Sequence, residues 1–297
     1  MIHNKRVAIG IVAGLVAAVC YGFIPFFTLP MKVDSSADYM SDAAILFYRF
    51  GLAALLVGLV MLVRRVSFKI TRGELVTLTY LAFISDGSAL FLIDGYNYMS
   101  SGVATTLHFM YPVVTAIIMM VFYDEARRLS TISAIVMAVV GVGIISWDPT
   151  GHTTLRGVVI VLISALCYAL YLIRVNRSRA ATMNSFTLVF YVMLIGAFIF
   201  AGEAIRQNNF QIVTTAEQVF DLTSLAIICT VVTNLALVVS VKRIGSTMTA
   251  VIGALEPLTA VVLGCIVFRE SFTWQIATGI LLILPAVVII ILTRRRN

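Results

Sequence analysis

Charge is scarce in this chain. Asp, Glu, Lys and Arg together make up 12% of its 297 residues, against 61% hydrophobic, and the mean hydropathy is +1.03. A soluble domain is about a quarter charged, so the ionic groups here are too few to cover a globule of this size. Cysteine is limited to Cys20, Cys167, Cys229 and Cys265, all inside apolar runs and none with CxxC or metal-ligand spacing. They read as small buried hydrophobes. Histidine occurs three times and scattered, so no metal site is expected. A Walker loop and any other nucleotide motif are lacking, which excludes ATP as the direct energy source and leaves no cofactor implied. The net charge of +7 does not point to nucleic acid, because Lys and Arg fall in short clusters without aromatic interleaving or a broad basic face.

What is present is apolar sequence in lengths that cross a bilayer, roughly 20 residues each. Ten helices are expected, at about 7–29, 43–63, 74–95, 101–122, 131–148, 157–175, 183–202, 222–241, 246–268 and 274–293. The fold class is an all-α membrane protein with a lipid bilayer as its main partner. The basic N-terminus resembles a signal peptide, but the following apolar segment is long and has no small-residue cleavage site, so it is expected to stay as the first helix. With the N-terminus inside, sixteen basic residues fall on the cytoplasmic side and only Lys32, Arg156, Arg206 and Arg269 on the other. Arg49 lies within a helix. That bias over short loops orients the chain with both termini cytoplasmic.

The chain is organised around two proline-marked helices. One reads Ser101-Gly-Val-Ala-Thr-Thr-Leu-His108-Phe-Met-Tyr111-Pro112, the other Gly253-Ala-Leu-Glu256-Pro257, and a glutamate follows each proline thirteen residues on, Glu125 and Glu270. Leu15-Val-Ala-Ala-Val-Cys20-Tyr21 recurs as Leu162-Ile-Ser-Ala-Leu-Cys167-Tyr168, a shift of 147 residues, against 145 for the proline pair. Residues 1–148 and 149–297 therefore read as two repeats of five helices each. An odd helix number sets the repeats upside down relative to each other, an arrangement common in secondary transporters, with the site near the midplane where the halves meet.

On this plan, the arginine of Phe47-Tyr-Arg49-Phe and the two proline helices running to Glu125 and Glu270, the whole chain resembles the EamA-type transporters of the drug/metabolite transporter superfamily. Two features differ from the family's common pattern: Tyr21-Gly22 stands where Trp-Gly is usual, and Glu125 is followed by Ala-Arg-Arg instead of Arg-Leu. The resemblance implies export or uptake of a small metabolite, often an amino acid, across a bacterial inner membrane.

An ionised group at the bilayer centre costs about 2.5–3.5 kcal/mol on insertion scales, so each such residue is a candidate for the substrate site. Glu256 sits near the middle of the ninth helix and Asp86 twelve residues into the third, and both are expected to line the cavity. Arg49 and His108 lie roughly 9 Å deep at ~1.5 Å per residue, and each is equally explained as a packing or ion-pairing group. Asp94 is nearer a helix end and reads equally as interfacial. Pro112 and Pro257 free backbone carbonyls in the preceding turn and are read as helix breaks or gates. Helical spacing adds Thr230, Thr233 and Asn234 on one stripe, Tyr168 with Tyr171, His108 with Tyr111, and Tyr21. This lining suits a zwitterionic or aromatic solute. Glu125 and Glu270, at helix exits, read as interface or gate contacts. Small-residue stripes (Gly10, Ala13, Gly14 and Ala17; Ala134, Ala138 and Gly141) permit close helix contact, within the chain or in a homodimer.

The expected function is secondary transport of an amino acid or related compound, with export as the expected direction, by alternating access. A broad drug exporter or a cofactor or nucleoside permease are the other carrier readings. Proton coupling through Asp86, Glu256 or His108 and ion-free facilitated exchange both stay open. An enzyme is not expected, since only Asp86 and Asp94 approach a catalytic pair, and they lack the flanking motifs of membrane aspartyl proteases.

Overall fold

The polar links that interrupt the apolar runs carry the residues that start helices. Ser41, Ser100 and Thr154 each accept a hydrogen bond from the backbone N–H three residues on, opening α3 (Asp42–Val63), α5 (Ser101–His108) and α8 (Leu155–Arg177). Thr71 with Glu74 and Thr215 with Gln218 form reciprocal capping boxes ahead of α4 (Arg72–Gly95) and α10 (Ala216–Ala226). Asn184 caps α9 (Ser185–Arg206). The computed structural model describes residues 2–32, 39–123, 129–147, 153–207, 211–253 and 255–295. Glu125 lies outside the described residues.

The remaining helices are α1 (Ile2–Gly22), α2 (Ile24–Thr28), α6 (Tyr111–Phe122), α7 (Leu129–Ser146), α11 (Thr233–Ile252), α12 (Leu255–Val267) and α13 (Trp274–Arg295). Among the described residues there is no strand. Among the described residues, seven stretches are long and apolar enough to cross a membrane, and three shorter apolar helices accompany them at Ile132–Ile144, Leu255–Val267 and Trp274–Ala286. In lipid a helix satisfies its own backbone polar groups, which is why the fold is helical throughout.

Two of the expected spans run on without an evident break as α11, yet this helix turns back on itself. Ser240 Oγ and Thr249 Oγ1 are 2.8 Å apart, whereas nine residues of straight helix would separate them by about 13.5 Å. Gly14 of α1 likewise meets both Ser240 and Ile252. The reversal falls in the link expected between the eighth and ninth helices. The most extensive packing joins α7 with α13, α3 with α9, α1 with α11 and α4 with α8. The small-residue stripes serve these contacts within the chain: Gly10 and Gly14 lie on Ile244 and Ser240, and Gly141 on Ile283 and Leu282.

Both proline helices are interrupted just ahead of the proline. A turn at 109–110 separates α5 from α6, where Pro112 occupies the first turn. A turn at Gly253 precedes α12, with the Glu256 N–H donating to the Gly253 carbonyl. Proline lacks an N–H to continue the ladder and fits best in a first turn.

Candidate functional site

The breaks bring polar side chains together between helices that come from distant parts of the chain. A small cavity of about 40 Å³ is lined by Tyr21, Arg49, Ser85, Ser88, His108, Tyr168, Asn234 and Glu256, with Ile24, Phe50, Ala89, Leu92 and Met193 as apolar wall. Room for a water takes roughly 10–15 Å³ and a ligand site typically about 300–1,000 Å³, so the cavity as it stands has room for little more than water. Gly22 lets α1 meet α12 here. A Cβ at that position would lie 2.4 Å from Thr259 and 2.9 Å from the Glu256 carbonyl.

Arg49, on α3, is 4% exposed. Its Nε donates to Thr230 Oγ1 at 2.8 Å and its Nη2 to the Cys229 carbonyl at 3.3 Å. That carbonyl lies within Ile227–Val232, a π-turn, a local widening that is frequent at functional sites. Thr230 and Thr233 donate their hydroxyls five residues back, to Leu225 and Ile228, and Asn234 donates to the Thr230 carbonyl. A guanidinium has five N–H groups, so three remain for a ligand.

Glu256 is also 4% exposed, and its carboxylate takes no hydrogen bond among the described residues. No salt bridge joins it to Arg49; the ion pairs of the described residues are Lys32–Asp42 and Arg206–Glu203. One cavity therefore holds a guanidinium and a carboxyl group that do not pair with each other.

An aromatic cluster borders the carboxylate. Tyr168 meets Tyr21 edge-on at 6.2 Å and Tyr111 at 4.7 Å, stacks on Tyr171 at 6.1 Å, and lies 5.3 Å from the His108 ring. Tyr111 and Tyr171 stand behind the cavity wall. His108 Nδ1 is 3.0 Å from Ser164 Oγ, which donates to the Ser88 carbonyl at 2.6 Å. The serine's one hydrogen is thereby committed, so Nδ1 carries the proton and Nε2 is the acceptor of the neutral ring. Ser88 and Ser164, like Met193, were not among the residues expected at the site. Serines are common in apolar helices, and only the α4–α8 contact reveals this pair.

Asp86, expected in the cavity, lies off its wall and against α9. Both carboxyl oxygens are buried without a protein hydrogen-bond partner, and they sit 2.8–2.9 Å from where a Cβ of Gly196 would be. Asp94 accepts from Asn97 at 3.1 Å and belongs to a separate open vestibule of about 940 Å³, whose polar lining includes Lys32, Asp42, Tyr96, Glu203 and Gln207. Glu270 tops α5. It accepts from Ser101 N at 2.8 Å, Ser101 Oγ at 2.7 Å and Gly102 N at 3.3 Å, helped by left-handed Arg269 (φ 55°). Among the described residues no group of three His, Cys, Asp or Glu converges as a metal site.

Comparison with known proteins places this geometry in a family. A protein of Archaeoglobus fulgidus described as an uncharacterized transporter is 24% identical over 271 residues, covering 88% of this chain and 93% of its own. A solved structure titled only as a protein crystal structure shares the fold, with a TM-score of 0.71 at 14% identity over 97% of this chain and 98% of the other. The model of the EamA-like transporter family matches twice, over residues 8–147 and 155–292. The chain belongs to the EamA-like transporter family, and is a membrane transporter.

Proposed function

We propose that this transporter is a secondary carrier for a small zwitterion, an amino acid or a close relative, moved outward across the bacterial inner membrane by alternating access. The observation that carries this reading is the unpaired Arg49 and Glu256 in one cavity. A guanidinium and a carboxyl group held apart in a low-dielectric interior are each poorly compensated when ionised. A zwitterion compensates both: its carboxylate meets the spare N–H groups of Arg49, and its ammonium meets Glu256, Nε2 of His108 and the faces of the tyrosines. A broad exporter of lipophilic cations would leave Arg49 without a counter-ion.

The two family matches support a division into repeats at 1–148 and 149–297. So does the packing. Exchanging the halves maps α3 with α9 and α7 with α13 onto themselves, and α1 with α11 onto α8 with α4. An inverted pair of five-helix repeats around the cavity gives two alternative closures, one for each face of the membrane. The basic-residue bias supports cytoplasmic termini.

The test is counterflow in proteoliposomes across the twenty amino acids, followed by competition with the amide and the deaminated acid of the best one. The intact zwitterion is expected to compete at least about 10-fold better than either analogue, one lost ionic hydrogen bond being worth about 1.5–3 kcal/mol. Equal competition by an analogue lacking either charge would remove the zwitterion reading.

A further inference from the structure

Helices α3 and α9 are built to one plan. Each has 22 residues. A shift of 143 residues carries the cap Ser41 to Asn184, the pair Phe47-Tyr48 to Phe190-Tyr191, and Phe68, beyond the end of α3, to Gln211, beyond the end of α9. The matched side chains make the same bond at opposite ends of the pair. At one end Tyr48 donates its hydroxyl to the Gln211 carbonyl at 3.0 Å. At the other, Tyr191 donates to the Phe68 carbonyl at 2.7 Å. Each phenylalanine lies edge-on to its neighbouring tyrosine at 5.0 Å. Since α3 is in the first family match and α9 in the second, each half clasps the segment that leaves the other's helix.

Further contacts reinforce both clasps. The Gln211 side chain accepts from Ser41 N at 2.6 Å and donates to the Tyr39 carbonyl at 3.3 Å. Thr187 donates to the Ser67 carbonyl at 3.3 Å, and Phe190 packs on the Phe68 ring at 5.2 Å. Between the clasps the helices stay in touch: Phe50 meets Phe200 at 5.7 Å, Gly58 faces Phe190, and a Cβ on Gly51 would lie 3.9 Å from that of Ala197. The Tyr48 clasp sits on the rim of the vestibule, whose wall includes Tyr39, Ser41 and Gln207. The vestibule is open there while the clasp is made, so this clasp is not what shuts that end. The shared plan gives the Tyr191 clasp the same standing at the other end.

We propose that Tyr48 and Tyr191 are a matched pair of positioning residues that fasten α3 and α9 into one fixed axle, about which the other helices of the carrier open and close. A gate contact has to break once in every cycle, whereas these two stay made throughout. Arg49, next to Tyr48, is thereby held at one depth while access alternates between the faces. The inference rests on the alternating-access reading above and names the part that does not move.

Joining the two helices covalently tests this. Positions 51 and 197 suit a disulfide, which needs Cβ atoms about 3.5–4.5 Å apart. In proteoliposomes, with the amino acid giving strongest counterflow as probe, oxidised Gly51→Cys/Ala197→Cys is expected to keep counterflow within about threefold of its reduced form. The clasps are read in Tyr48→Cys/Gln211→Cys and Tyr191→Cys/Phe68→Cys, each joined by a short bis-methanethiosulfonate spacer. Unjoined, each should lose about fivefold in maximal rate, the worth of one neutral hydrogen bond. Apparent affinity should hold, because Arg49 keeps its bonds to Thr230 and Cys229. Joining should restore the rate, a recovery that a bond serving only folding would not show. Single-cysteine variants treated alike control for the four native cysteines. A larger loss on joining any pair, regained on reduction, makes that contact a gate and overturns the proposal. So does a full rate in both unjoined clasp pairs, since the hydroxyls would then position nothing. Where one pair does not reconstitute, the others are read by the same rule. Absence of counterflow in the unaltered protein would instead sink the carrier reading.

Discussion

Glu256 and Glu270 bracket the same short helix and have opposite surroundings. Glu270 accepts three hydrogen bonds at the first turn of α5, where the helix dipole adds to the attraction. Glu256 is more deeply buried and accepts none. The family model matches their shared segment as one region, yet one glutamate is a finished structural contact joining residues 169 positions apart and the other is an unfinished one. A buried carboxyl that the fold leaves without a partner is costly to ionise, and in the carrier proposed here its partner is the solute. Satisfaction, more than burial, separates the two roles.

The comparison breaks most sharply at Glu256. Glu256→Gln is expected to lower counterflow by about 100-fold, equivalent to about 2.7 kcal/mol for an ionic contact left unpaired. Its melting temperature in detergent should stay level or rise, because a buried carboxyl without a partner has been removed. A fall in melting temperature with transport intact would make Glu256 a structural residue. Glu270→Gln should do the reverse. Losing the charge of a three-donor cap is worth about 1–2 kcal/mol, a drop of a few degrees in melting temperature. Counterflow should fall by less than about fivefold. Abolished transport with unchanged melting would move Glu270 into the transport machinery.

Much of this was legible in the sequence. Apolar run length and the duplicated Pro–Glu spacing anticipated the helices and the breaks before Pro112 and Pro257, because both follow from local rules of backbone satisfaction. Depth along a helix was readable too, and it singled out Arg49, Asp86, His108 and Glu256, all four of which are buried. Direction around a helix was not. Asp86 and Ser88 are two residues apart on α4, yet Ser88 reaches the cavity and Asp86 meets Gly196, a distinction made by the neighbouring helices. The bond from Ser101 to Glu270 was hidden for the same reason: its two ends lie 169 residues apart.

The stripe Thr230, Thr233 and Asn234 gives the finest version of the comparison. At 3.6 residues per turn the three share a face, but Ile227–Val232 is π-helical, and the wider turn alters which groups point together. Thr230 accepts from Arg49 at 2.8 Å, while the Thr233 hydroxyl donates to the Ile228 carbonyl of its own helix and meets the Cys20 thiol. Thr230→Val keeps the shape and leaves a buried Arg49 N–H without its acceptor, a penalty of about 1–3 kcal/mol. Apparent affinity in counterflow should therefore weaken by about 10-fold, and Thr230→Ser, which restores the hydroxyl, should recover most of it. Thr233→Val removes a bond that competes with the helix's own carbonyl pairing and touches no charged group, so affinity should change by less than about twofold. Equal losses at both positions would mean that the hydroxyls act through the shape of the π-turn, and that Arg49 is positioned by the Cys229 carbonyl alone.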